Sequence, residues 1–321
     1  MKQIYKSITV SAPGKIHLLG EHAVVYGKPA ILTTVDLRVT VTITPSLPVI
    51  VRNPNSIGTT KQSIKKIIEP IIKKHLKINK LPSYQFQIES QAPIGAGLGS
   101  SAAISAAYIA SLLCFLKIKW DLNLVYKLTY EAEKVFHGNP SGGDPATVIF
   151  GGLVWYRKET PDLKVIHPFP FSIPKSLAKN FMIINTGTPK ESTKEMVSSV
   201  KNLYDKNPKL VERFLDSQEK LVKELLLILK EGKEKELIRI IREGEKNLES
   251  IGACSTSVKK IIRQIEFSGG AAKICGAGGF EGPTGVVLGY HPDKNKLLEV
   301  IKSLKLPYFI TKLGVEGLRI E

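Results

Sequence analysis

Alternation of apolar and polar positions opens the chain as β-structure. "SITVSAPGKIHLLGEH" alternates and is interrupted at Pro13 and Gly14, and "ILTTVDLRVTVTITP" is rich in β-branched residues and stops at a proline. The period then lengthens. Ile64, Ile67, Ile68, Ile71 and Ile72 recur at helical spacing in "TTKQSIKKIIEPIIKKHLK", with lysines opposite and Pro70 placed to kink or divide the helix. "YQFQIESQAP" alternates strictly as a strand and runs into "PIGAGLGSSAAISAA", where glycines alternate with small residues before an uncharged helix. Asp121 caps a helix reaching about His137, with a stripe of Leu122, Val125, Thr129, Ala132 and Phe136. "HGNPSGGDPA" ends that helix. "TVIFGGLVWY" reads as a strand with a glycine pair inside, and "KNFMIINTG" as another.

From about Ser192 the pattern changes to long, charged amphipathic helices: "STKEMVSSVKNLY", "PKLVERFLDSQEKLVKELLLILKEG" and "KEKELIRIIREGEKNLESIG". "STSVKKIIRQIEF" adds a short one, and "GGAAKICGAGGFEGPTGVVLGY" returns to strand, glycine loop, strand. A short helix and two strands close the chain. Segregated strands and helices argue for an α+β fold, with a boundary near residue 180 dividing 1–180 from 181–321.

Composition narrows the function classes without choosing among them. The chain has 321 residues, 43% of them hydrophobic, enough for a large core. Lys and Arg outnumber Asp and Glu by 46 to 29, a formal charge of +17, which favours anionic ligands. The basic residues are scattered and form no arm. The three cysteines, Cys114, Cys254 and Cys275, are far apart and fit free thiols in a reducing compartment. Ala102 to Leu116, the longest uncharged apolar run, is short of a bilayer span, and "MKQIYKSITV" lacks a signal-peptide core. The expectation is a cytoplasmic protein with no membrane partner, and no aromatic-basic interleaving points to nucleic acid.

The glycine stretch carries chemistry. Glycines in series let a ligand approach backbone N–H groups, and a helix N-terminus adds unpaired donors and partial positive charge. Together they suit phosphate. The stretch from Pro93 through Gly95, Ala96, Gly97, Leu98, Gly99, Ser100 and Ser101 to Ala102 is the candidate cradle; the alternative is a tight strand-to-helix turn with small residues for packing. It lacks the Lys-Ser/Thr pair of the Walker A loop and the distant acid of the dinucleotide fingerprint. Glu133 falls four residues after Thr129 at the border of the apolar stripe, where a carboxylate is costly unless a cation meets it or it snorkels to the rim.

Three further stretches combine with this loop: "APGKIHLLGEHAVVYG", "HGNPSGGD" and "KICGAGGFEGPTG". Together, and in order along nearly the whole chain, they resemble the GHMP family of small-molecule kinases. That resemblance implies two α+β domains, the first like ribosomal protein S5 domain 2 and the second ferredoxin-like, with the active site between them. "GEHAVVYG" and "HGNPSGGD" are most similar to members that phosphorylate the primary hydroxyl of mevalonate with ATP and Mg²⁺. Members acting on phosphomevalonate, sugars or homoserine are the nearest alternative. A catalytically silent protein that binds nucleotide or nucleic acid is the alternative from another class.

The resemblance also implies roles. Asp144 accepts the hydroxyl proton and Lys15 assists it; Ser101 and Glu133 hold Mg²⁺; Glu21, His22, Thr193, Gly278 and Gly279 meet the substrate. A homodimer is the assembly it implies. Bland alternatives are an Asp-Pro turn for Asp144, a surface lysine for Lys15, a packed histidine for His22 and a residue beside the cap Ser192 for Thr193. One departure stands out: Phe280 and Glu281 interrupt the glycine run after Gly276, Ala277, Gly278 and Gly279, which puts the loop path in question.

Overall fold

The computed structural model describes residues 7–45, 58–93, 95–138, 140–160 and 162–321, so Ile94 and Asn139 of the quoted motifs lie outside the described residues. Two antiparallel sheets form around the β-branched segments. In the first, β1 (Ile8–Leu19) pairs with β2 (Ala30–Pro45) along most of its length. The other edge of β2 is shared: its start pairs with β4 (Leu153–Lys158) and its end with β3 (Tyr84–Ser90). β5 (Lys164–Pro168) extends β4, and β10 (Arg319–Ile320) brings the end of the chain back beside β1. The second sheet runs β7 (Ala271–Ile274), β8 (Val286–Tyr290), β6 (Phe181–Asn185), β9 (Tyr308–Phe309).

Three helices cover the first sheet: α1 (Gly58–Leu76), α2 (Ser100–Phe115) and α3 (Leu122–His137). α2 is buried nearly all round, as its uncharged sequence requires. α4 (Gly143–Phe150) follows, and a short α5 (Lys175–Ala178) precedes β6. The long helices α6 (Thr193–Lys206), α7 (Pro208–Glu231) and α8 (Glu234–Ser250) come next, then α9 (Thr256–Phe267) and α10 (Lys294–Ser303). One apolar cluster includes Ile16, Ile31 and Leu98 beside Ile183, Leu225, Ile240 and Leu288, so both sheets and the long helices share a core. Among the described residues, no helix is long and apolar enough to cross a membrane.

Three details differ from the sequence reading. β1 is not broken at Pro13 and Gly14; the strand continues through a register shift there. α1 runs undivided through Pro70, which sits exposed, so the carbonyl its ring leaves unpaired one turn earlier, at exposed Lys66, faces water. "TVIF" is helical, not a strand: it completes α4, and the strand starts only after Gly151 and Gly152. An almost wholly buried eight-residue helix has no polar face to impose a period, so its β-branched residues mimic a strand.

Candidate active site

A cavity of about 920 Å³ opens where β1, the glycine loop, α3, α4 and α6 meet, a size suited to small-molecule ligands. Its floor is the glycine loop. Gly95, Gly97, Gly99, Ser100 and Ser101 line the cavity, whereas Ala96, Leu98 and Ala102 are buried in the core. The loop is stitched on both sides: Lys15 N–H donates to the Leu98 carbonyl and Val286 N–H to the Ala96 carbonyl, each at 2.9 Å. The Pro93 carbonyl accepts from Ser100 Oγ at 3.3 Å. Gly99 has φ 71°, and a Cβ there would stand 2.7 Å from Lys15 Cγ, so glycine lets the lysine stem pass beneath the helix start. With glycine as N-cap there is no side-chain cap, which leaves the first N–H groups of α2 for an anionic ligand.

Lys15 and Asp144 meet above this floor, Nζ to Oδ1 at 2.9 Å. The lysine is buried on β1, its side chain only 3% exposed, while the Asp144 side chain is 31% exposed and reachable from the cavity. Asp144 sits in the first turn of α4, where the helix dipole favours an anion. Lys15 Nζ also approaches His17 Nδ1 at 3.4 Å, two residues along the strand and therefore on the same face. Burial, then the positive charges of Lys15 and Lys273, hold His17 well below its usual pKa, so it is neutral and accepts from the lysine.

Glu133 and Ser101 line the same cavity. Glu133 is 2% exposed, and its Oε1 has no hydrogen-bond partner. Burial, with the nearby Asp144 charge, pushes its pKa up to about 8. His137, one turn on, brings Nε2 to 3.5 Å from Glu133 Oε2 and to 3.3 Å from Ser101 Oγ. An orphaned buried carboxylate oxygen beside a hydroxyl is a hard-oxygen donor set that fits Mg²⁺, which takes few protein ligands. Among the described residues there is no group of three or more His, Cys, Asp or Glu that would cage a metal.

The remaining candidates divide. Glu21 lines the cavity and is paired from behind with the Lys273 ammonium, both fully or almost fully buried. Burial is the largest single influence and opposes that charge, but the Glu21 carboxylate, with Cys275 and Glu245 nearby, pushes the Lys273 pKa up. Lys273 also donates to the His17 carbonyl at 3.4 Å, so β7 of the second sheet is pinned to β1. His22 adopts φ 57° and ψ −46°, costly for a residue with a Cβ, and its Nε2–H donates to the Ala277 carbonyl of the late glycine loop at 2.9 Å. Thr193 lines the cavity at the start of α6, where Ser192 and Glu195 form a reciprocal capping box.

Gly276 and Ala277 also line the cavity, but Gly278 and Gly279, expected at the substrate, do not. They pack against Ala253: the Gly279 N–H donates to its carbonyl at 3.0 Å, and a Cβ on Gly278 would collide with the same carbonyl. Phe280 and Glu281 are absent from the lining too; the ring is 43% exposed and Glu281 faces Lys190 on the surface at 3.4 Å. Lys273 and His17 were missed in the sequence although each carried a signal. "AAKIC" puts a lysine in an otherwise apolar strand, and strand alternation puts His17 on the face of Lys15.

Residues 62–152, which span the glycine loop, Glu133 and Asp144, match the N-terminal domain of the GHMP kinases. A mevalonate kinase of Archaeoglobus fulgidus is 32% identical over 313 residues, covering 97% of this chain and 99% of the relative. The chain belongs to the GHMP kinase family. It is thus a phosphotransferase, and its family takes the phosphoryl group from ATP. Two solved kinases share its fold. L. major mevalonate kinase, solved in complex with R-mevalonate, superposes with a TM-score of 0.75 at 23% identity, over 95% of this chain and 94% of that one. Streptococcus pneumoniae phosphomevalonate kinase, in complex with phosphomevalonate and AMPPNP, gives 0.76 at 20% identity over 95% and 99%. The fold therefore does not discriminate between these two acceptors.

Proposed function

We propose that the chain transfers the γ-phosphoryl group of ATP to the primary hydroxyl of mevalonate, yielding 5-phosphomevalonate and ADP. The observation that carries the reading is the Lys15–Asp144 pair at 2.9 Å, facing an uncapped helix N-terminus across one cavity. The choice of mevalonate is supported by the full-length similarity to the Archaeoglobus fulgidus mevalonate kinase.

In phosphoryl transfer the protein supplies position and charge more than covalent chemistry. The cradle for the ATP phosphates is the first turn of α2 with Gly95, Gly97, Gly99 and Ser100. Asp144 accepts the proton of the substrate hydroxyl as its oxygen bonds to the γ-phosphorus; the bond to the β–γ bridging oxygen breaks and ADP leaves. Lys15 lowers the hydroxyl's pKa and balances developing negative charge. Being buried and held on two sides, it pays little reorganisation cost during the reaction. Ser101 and Glu133 would hold Mg²⁺, which neutralises phosphate charge when bound. His22, Thr193 and the free oxygen of Glu21 form the acceptor end.

Lys15, Ser101, Glu133 and Asp144 all line one cavity, which argues against a silent nucleotide-binding protein. ADP release with mevalonate, phosphomevalonate, homoserine and a hexose as acceptors tests the assignment. The expected result is a kcat/KM for mevalonate at least a hundredfold above the others. Turnover of phosphomevalonate with none of mevalonate would reassign the acceptor.

A further inference from the structure

Three phenols converge behind the turn that carries Asp144, and the chemistry above uses none of them. Tyr126 and Tyr130 come from α3 and Tyr156 from β4. Tyr156 is fully buried, and its hydroxyl donates to the Ser141 carbonyl. The Tyr130 hydroxyl donates to the Pro140 carbonyl at 3.4 Å, and Ser141 Oγ accepts from the Gly143 N–H at 3.2 Å. Gly142, the N-cap of α4, has φ 97°; a Cβ there would stand 2.6 Å from the Tyr156 oxygen and 2.9 Å from that of Tyr126. The turn is therefore seated directly on two phenolic oxygens, with no room for even a methyl group between them.

The far end of α4 is fixed independently. Leu318 N–H donates to the Ile149 carbonyl at 3.1 Å, and Gly152 N–H to the Val315 carbonyl at 2.8 Å. With that end held, the Ser141 peptide sets the direction in which the helix starts, and Asp144 follows three residues later. A neutral donor suits the place. A cationic one would compete with Lys15 for the Asp144 carboxylate. Burial pushes the Tyr156 phenol far up, and the Asp144 charge adds to it, so the hydroxyl stays protonated and donating.

We propose that Tyr156, through its hydroxyl on the Ser141 carbonyl, is a positioning residue that aims Asp144 at the reacting hydroxyl, with Tyr126 as backstop. The proposal rests on the reading of Asp144 as proton acceptor. A small misplacement of a catalytic group costs up to about a hundredfold in rate, so the effect belongs in kcat.

The test compares Tyr156→Phe with Tyr84→Phe and Asp144→Asn, measuring kcat, both KM values and Tm on the full chain. Tyr84 bonds Glu69 and Tyr108, both at 2.6 Å, in the core away from the cavity, so its variant reports loss of a buried phenol bond alone. Tyr156→Phe is expected to lower kcat at least tenfold with both KM values within about twofold, while Tyr84→Phe keeps kcat. A kcat for Tyr156→Phe within twofold of wild type, or a fall matched by Tyr84→Phe at the same Tm loss, overturns the proposal. An active Asp144→Asn would instead overturn the reading of Asp144. An inactive Asp144→Asn beside a fully active Tyr156→Phe would sink the positioning role alone. Should Tyr156→Phe not fold, 3-fluorotyrosine at position 156 keeps the shape and changes the strength of the donor. kcat must then move at constant Tm, and an unchanged kcat overturns the role.

Discussion

The Glu133 carboxyl is buried, has one oxygen without a partner, and holds its proton up to a pKa of about 8. The folded protein therefore binds this proton more tightly than the unfolded chain, whose glutamate titrates near 4.5. The resulting stabilisation is fully present below that value and is lost as pH rises through 8. Mg²⁺ reverses the sense, because it needs the carboxylate; its binding releases the proton and strengthens as pH rises toward 8. Differential scanning fluorimetry of Glu133→Gln against wild type checks both. The variant is expected to lose the downward slope of Tm between pH 5 and 8 and the pH dependence of Mg²⁺ affinity. An unchanged slope in the variant would show that Glu133 is ionised in the folded protein.

Arg38 shows how one element is held to another. From β2 its guanidinium donates to Ser11 Oγ and the Ser11 carbonyl on β1, and to the carbonyls of Glu316 and Gly317 in the tail that leads to β10. Arg38→Met leaves buried carbonyls unpaired and is expected to cost about 2–4 kcal/mol, with faster hydrogen exchange in residues 313–321. Stability within about 0.5 kcal/mol of wild type would contradict this account of the tail. That contact was illegible in the sequence, because nothing local to Arg38 names partners near the other end of the chain. The elements with strong periods were legible: the strict alternation of β3 and the Asp121 cap of α3 are where the pattern put them. α4 was misread from its apolar residues, although Asp144 and Pro145 just after a glycine pair are a helix-start signal. Of the site, flexible backbone marks the glycine loop and a costly charge at the edge of an apolar stripe marks Glu133, whereas Lys15 and Asp144 are reached only through the resemblance to the family's motifs. Tyr156 could not be found, since a tyrosine in a strand reads as core whether or not its hydroxyl has a task.

At the scale of the whole molecule, the cavity lies between β1 of the first sheet and the loop that follows β7 of the second, and the Glu21–Lys273 pair ties the two sides together. Breaking a buried ion pair from one side strands the other charge, at a cost of about 3–5 kcal/mol, whereas removing both charges together is far milder. Lys273→Met is therefore expected to lower Tm sharply, and Lys273→Met with Glu21→Gln to recover most of it without recovering full activity. A double variant no more stable than the single one would deny that the two side chains act as a pair.

The central claim is that Asp144 and Lys15 serve the transfer of phosphate from ATP to the mevalonate hydroxyl. The most direct measurement is mevalonate-dependent ADP release by wild type and by Asp144→Asn, with ATP, Mg²⁺ and the product identified by phosphorus NMR. The account predicts 5-phosphomevalonate from the wild type and a kcat lower by about 10²–10⁴-fold in the variant, with ATP still bound. Equal rates in the two proteins, or ADP release that does not depend on mevalonate, would contradict it.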